Sequence, residues 1–191
     1  LKVDPDSVLV ASTGVIGMQL PVQKLAAGVE AMAPELDGSL EAGNQAAKAI
    51  MTTDTVEKEA AVQFEIGGKT VTVGGMCKGS GMIHPNMCTM LGFVTTDVNI
   101  SKELLQEALS QDVKDTYNMV SVDGDTSTND TVLLLANGMA GNPEITEKNE
   151  DYRAFCQALN YVNTQLAKKI AGDGEGATAL FEVKIIGAES K

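Results

Sequence analysis

Tryptophan is absent from these 191 residues and aromatic side chains make up only 4% of them. The core must therefore be built from Val, Ile, Leu, Met and Ala, and base stacking on aromatic platforms is argued against. The only histidine, His84, cannot form a histidine cluster and has no placed aspartate that would make a triad, so it reads as incidental. Basic residues are few. Fourteen Lys and Arg against 26 Asp and Glu give a net charge of −12, which repels polyphosphate, and no Lys/Arg cluster offsets it, so nucleic acid is not an expected partner. Three cysteines, Cys77, Cys88 and Cys156, stand at spacings that match neither a zinc site nor a disulfide framework. They point to a reducing compartment, by default the cytoplasm. The longest apolar runs, such as Val132 to Ala136, fall far short of the roughly 20 residues of a membrane helix, and the N-terminus does not read as a signal peptide.

What is present suffices for a core, since 43% of the residues are hydrophobic, in one domain or two small ones. VLVAS at 8–12 reads as a buried strand. Pro21 follows as the first residue of a helix carrying Leu25, Val29 and Met32, which Pro34 stops. An alanine-rich helix is expected from about Leu40 to Met51, and AVQFEIGGKTVTV pivots on Gly67-Gly68 as a hairpin. LGFVTTD at 91–97 is a strand, and Ser101 caps a helix that Ile100 and Leu105 staple. The run VLLLA at 132–136 has too few polar positions for a surface strand and should be central. A long helix carries Tyr152, Phe155, Leu159, Val162, Leu166 and Ile170 on one face, with Lys168 and Lys169 in its last turn and Gly172 just beyond. LFEVKII at 180–186 is the last strand. Alternating strands and helices indicate a layered α/β fold.

The densest chemistry lies in GGMCKGSGMIHPNMCTML at 74–91, where a glycine-rich lysine loop precedes a Cys88-Thr89 bond with the character of a self-cleavage site. A threonine that becomes an N-terminus gains an α-amine of pKa near 8, roughly, able to take its own hydroxyl proton. Taken alone, MCTML reads equally as the start of a buried strand. Four other segments bear on the choice: VLVASTGVIGMQLP at 8–21, AIMTTDTVEK at 49–58, SVDGDTSTNDTVLLLANG at 121–138 and GDGEGATALFEV at 172–183. In this order the five closely resemble the glutamate N-acetyltransferase family of arginine biosynthesis, also called ornithine acetyltransferase. The resemblance covers essentially the whole chain but only the central piece of a family member.

The resemblance implies an αββα sandwich of the ornithine acetyltransferase and N-terminal-nucleophile aminopeptidase type. It also implies transfer of acetyl from N2-acetylornithine to glutamate through an acetyl-Thr89 ester, after cutting at Cys88-Thr89. Residues 1–88 would be the C-terminal part of the family α-chain and residues 89–191 the N-terminal part of the β-chain, within an α2β2 heterotetramer in the full-length enzyme. Thr13 and Gly14 match the oxyanion-hole positions, and a turn after a strand suits a hydroxyl and an N–H aimed at one oxygen. Lys78 matches a substrate-contacting lysine, although the sequence alone favours a solvated loop residue. Glu175 matches a family residue suited to the cationic ornithine side chain. Thr52 and Thr53 occupy a substrate-binding stretch, and either hydroxyl fits; at a helix end they would otherwise bond backbone carbonyls. No cofactor or metal is expected, with acetyl-CoA left open as a co-substrate.

Other patterns fail on inspection. Gly172, Gly174 and Gly176 follow a helix and precede a strand, the reverse of a dinucleotide-binding turn. Asp123, Asp125, Ser127 and Asn129 imitate a calcium loop, but Thr128 replaces its glycine and Leu134 its closing acid, so DGDTSTND reads as a structural turn supporting the site. Cys77 and Cys88 stand where the family commonly has alanine. The alternatives are an aminopeptidase of the same superfamily, whose nucleophile is usually serine, and an uncut, inactive scaffold.

Overall fold

The computed structural model describes residues 3–84 and 90–189. The chain adopts the expected layered α/β fold, with a four-stranded mixed sheet in the order β1-β2-β3-β4. The hairpin falls where the glycine pair puts it. Strands β1 (Lys58–Ile66) and β2 (Lys69–Lys78) meet at Gly67 and Gly68, whose φ values of 56° and 73° form a two-residue turn matched to strand twist. Gly67 is doubly constrained, because a Cβ there would also lie 2.8 Å from Pro143 Cδ.

Strand β3 (Leu91–Thr96) runs antiparallel to β2, and β4 (Thr131–Ala136) runs parallel to β3. The crossover between them contains helix α3 (Lys102–Asp115), which Ser101 caps by accepting from the Leu104 N–H at 3.4 Å. Helix α4 (Glu150–Gly172) lies across β1 and β2, with Phe155, Leu159, Val162, Leu166 and Ile170 buried against Val71, Val73 and Val94. Gly75 permits this approach. A Cβ at that position would come within 3.1–3.2 Å of Val94 and Leu166. Polar contacts lock α3 to α4: Asn163 donates to Asp112 at 2.6 Å and accepts from the Tyr117 hydroxyl at 3.0 Å.

Helices α1 (Val22–Met32) and α2 (Leu40–Ala49) precede the sheet. Pro21 caps α1 rather than beginning it, and α4 continues through Gly172, which makes Asp173 its C-cap. Larger departures concern three apolar runs. VLLLA forms β4, but at the sheet edge rather than the centre, with Leu135 45% exposed. Residues 8–12 and 180–186 form no strand, because no described segment offers either run a hydrogen-bonding neighbour. Val10 and Phe181 are accordingly 85% and 88% exposed. Among the described residues no helix is long and apolar enough to cross a membrane.

Candidate active site

Register places the ends of three strands in one row, with Lys78 beside Leu91 and Leu91 beside Thr131. Residues arriving from distant parts of the chain converge at this end of the sheet. Lys58, the first residue of β1, is fully buried and donates to Asp54 Oδ1 at 2.7 Å and to Asp173 Oδ2 at 2.6 Å. Asp54 also accepts from the Gly79 N–H at 2.6 Å and the Thr52 N–H at 3.2 Å. Asp173 accepts from the Thr55 N–H at 2.9 Å and from the Thr55 hydroxyl. This ion cluster ties together the TTDT stretch, the lysine loop and the GDGEG stretch.

The last two are joined again by Ser80. Its hydroxyl donates to the Asp173 carbonyl at 2.7 Å, and its carbonyl accepts from the Glu175 N–H at 2.8 Å. Glu175 lies over Gly81, where any Cβ would run into Glu175 Oε2. Thr52 and Thr53 are exposed beyond the end of α2, at the rim of the same cluster.

Lys78 is 2% exposed. Burial lowers the pKa of its ammonium and the charge of Lys58 adds to that effect, while the carboxylates of Asp54 and Asp130 oppose it. The neighbouring thiol of Cys77 is pushed up to about 12, chiefly by burial, and is therefore no nucleophile near neutral pH. Burial disfavours ionised Asp173, but hydrogen bonds from Lys58 and Thr55 outweigh it and bring its pKa to about 2. Asp54 is likewise held below the usual carboxylate range, against its burial, by Gly79, Lys58 and Thr52.

A pH dependence follows from Asp173. Its folded-state pKa lies below its ordinary 3.8, so its stabilisation is present above about pH 4 and is lost as pH falls toward 2. That lowering corresponds to roughly 2 kcal/mol. In acid titration of the fold by circular dichroism, Asp173→Asn should be less stable at pH 7 and show a shallower loss between pH 4 and 2. Parallel acid limbs for parent and variant would remove this cluster from the account of acid stability.

Thr13 and Gly14 lie elsewhere, in an open pocket of about 260 Å³ that they share with Ile16, Leu20, Thr128 and Asn129. The DGDTSTND turn thus reaches both sides of the site. At its start Asp123 accepts from the Met82 and Ile83 N–H groups at 2.6 and 2.9 Å, fixing Met82 at a left-handed φ of 58°. At its end Asp130 accepts from the Met90 N–H at 2.9 Å. His84 meets the Ser121 hydroxyl at 3.2 Å.

Cys88 and Thr89 lie outside the described residues. Of the other expected site residues, Lys78, Glu175, Thr52 and Thr53 are gathered by the Asp54–Lys58–Asp173 cluster, whereas Thr13 and Gly14 are placed against the turn ending at Asp130. Among the described residues no group of three or more His, Cys, Asp or Glu side chains is arranged to hold a metal ion. The sequence reading missed Asp54, Lys58, Asp130 and Asp173 as organising residues. All four stand inside the motifs quoted above, and that was the available signal.

A family model described as the ArgJ family matches residues 1–191. Arginine biosynthesis bifunctional protein ArgJ 1 of Clostridium acetobutylicum is 55% identical over 193 residues, which cover 100% of this chain and 46% of that protein. Arginine biosynthesis bifunctional protein ArgJ of Symbiobacterium thermophilum is 58% identical over 188 residues, covering 98% of this chain and 46% of that protein. Among solved structures, the Arginine biosynthesis bifunctional protein argJ of Bacillus halodurans is 52% identical with a TM-score of 0.46, over 47% of this chain and 42% of that one. The chain spans about half the length of the curated relatives it matches.

Proposed function

This chain belongs to the ArgJ family, and from that premise we propose that it carries the catalytic centre of an acetyltransferase that moves acetyl from N2-acetylornithine to glutamate. In this reading the Cys88-Thr89 bond cuts itself, leaving residues 1–88 and 89–191 as the catalytic parts of an α-chain and a β-chain in an α2β2 assembly in the cytoplasm. The hydroxyl of Thr89 attacks the acetyl carbonyl while its own α-amine takes the hydroxyl proton. Collapse of the tetrahedral intermediate breaks the carbon–nitrogen bond, and ornithine leaves with that proton on its amine. The amine of glutamate then attacks the acetyl-threonine ester and restores the free hydroxyl. Thr13 and Gly14 donate to the oxyanion in both halves. Lys78 holds a substrate carboxylate, Glu175 the ornithine ammonium, and Thr52 or Thr53 a further polar group of the substrate. Acetyl-CoA would enter, if at all, as another donor to the same threonine.

The observation that carries this reading is the convergence on the Asp54–Lys58–Asp173 cluster, which ties the loop bearing Lys78 to the stretch bearing Glu175. A zwitterionic amino acid bearing a second charge needs both a cationic and an anionic contact. Incubating the full-length enzyme with N2-acetylornithine should add one acetyl mass to the piece that begins at Thr89 and to no other peptide. Acetylation confined to lysines, or none, would remove the ping-pong reading.

A further inference from the structure

Glu175 is held tightly by its backbone and left open at its side chain. Its N–H donates to the Ser80 carbonyl at 2.8 Å, and the Ser80 hydroxyl donates to the Asp173 carbonyl at 2.7 Å. Lys58 anchors the Asp173 side chain, and Gly174 lies so close to Val122 that a Cβ would stand 2.9 Å from Val122 Cγ1. Lys58, Ser80 and Gly174 are buried, yet Glu175 is exposed. Buried bonds thus fix the point from which an exposed carboxylate projects, which is how a scaffold supports a ligand contact.

The facing backbone is fixed as well. The Gly79 N–H donates to Asp54 at 2.6 Å, and the Met82 and Ile83 N–H groups donate to Asp123 at 2.6 and 2.9 Å. Gly81 sits between these anchors. A Cβ there would make ordinary contacts of 3.6 Å with Glu175 Cβ and 3.5 Å with its Cδ, but would collide with Oε2, the free end of a flexible side chain. Gly81 is not among the residues of positive φ, so its conformation does not demand glycine. What the missing side chain leaves is a seat for the Glu175 carboxylate. We infer that Gly81 is a positioning residue that sets donor specificity: it seats the Glu175 carboxylate beside the loop carrying Lys78, to receive the side-chain ammonium of an N2-acylated diamino acid. The inference rests on the role given to Glu175 above and deepens it. A methyl group at position 81 turns the carboxylate out of its seat while the backbone on either side stays where its anchors hold it.

The test compares two donors on the full-length enzyme with glutamate as acceptor: N2-acetylornithine, and N2-acetylnorvaline, which has the same carbon chain without the terminal amine. The parent should favour N2-acetylornithine by about tenfold in kcat/KM, the worth of a hydrogen bond to a charged group. Gly81→Ala should erase most of that preference through a higher KM for N2-acetylornithine, with kcat/KM for N2-acetylnorvaline and the urea midpoint both kept at the parent's values. Glu175→Gln should erase the same preference, and adding Gly81→Ala to it should change the ratio no further. A Gly81→Ala enzyme that loses both donors together, or loses stability, would make the glycine structural and overturn the inference. Retention of the preference in Gly81→Ala where Glu175→Gln loses it would also overturn the inference, and leave the role of Glu175 standing. A parent with no preference, or a Glu175→Gln enzyme that keeps it, would overturn the role of Glu175 and this inference with it.

Discussion

Thr89→Ala is expected to leave the full-length chain whole, where the proposed self-cleavage would divide the parent with 88 of these residues on one side and the remaining 103 of 191 on the other. The reason is chemical. In the proposed self-cleavage the side-chain hydroxyl attacks the preceding carbonyl, and alanine offers no oxygen for that N-to-O shift. The same change removes the atom that would carry the acetyl group, so transfer should fall by roughly 10⁴–10⁶-fold, the usual cost of deleting a covalent nucleophile. Thr89→Ser, which keeps a hydroxyl, should still be cut. Electrophoresis and intact mass decide the matter. A Thr89→Ala chain cut as fast as the parent would mean that an external protease makes the cut.

Lys58→Met should cost about 3–5 kcal/mol of folding stability, a large part of the 5–15 kcal/mol that holds a typical domain together. Methionine keeps most of the apolar stem but leaves Asp54 and Asp173 facing each other at a buried site without their common cation. Removing one partner of a buried ion pair is far worse than never having had the pair. Adding Asp173→Asn to Lys58→Met should therefore recover part of the loss, and a double-mutant cycle from urea melts would measure that coupling. Additive effects, or an unchanged midpoint for Lys58→Met, would show that the three groups are solvated separately.

Elements with local signals were legible from the residues. The Gly67-Gly68 pivot, the Ser101 cap and the apolar stripe of α4 each specify their structure within a few positions, and each lies where expected. The position of β4 was not. An unbroken apolar run shows that a strand has two faces to cover, but not that its outer edge is left open. Residues 8–12 and 180–186 carry the same message and find no neighbouring strand among the described residues.

Lys58 was hidden for a different reason. In an alternating strand a lysine reads as facing water, and its burial becomes favourable only because Asp173 arrives from 115 residues away. Asp54 and Asp173, like Lys58, stand within the AIMTTDTVEK and GDGEGATALFEV segments beside Thr52, Thr53 and Glu175, which resemble substrate contacts of the family. The carboxylates instead bind backbone and lysine, so they set the loops that present those contacts.

The ladder from Val73↔Thr96 to Lys78↔Leu91 joins a strand upstream of the Cys88-Thr89 bond to one downstream of it. Helix α4, also downstream, lies across the upstream hairpin. A cut between residues 88 and 89 would thus divide ownership of a single sheet between two polypeptides without opening it. The uncut precursor assembles this sheet as an intramolecular event, at a rate indifferent to dilution. The processed molecule, once unfolded, has to find its other half by collision, so concentration enters its stability where it had played no part before. Processing thereby becomes a step that the chain passes through once: what folded as one molecule cannot be rebuilt by the same route.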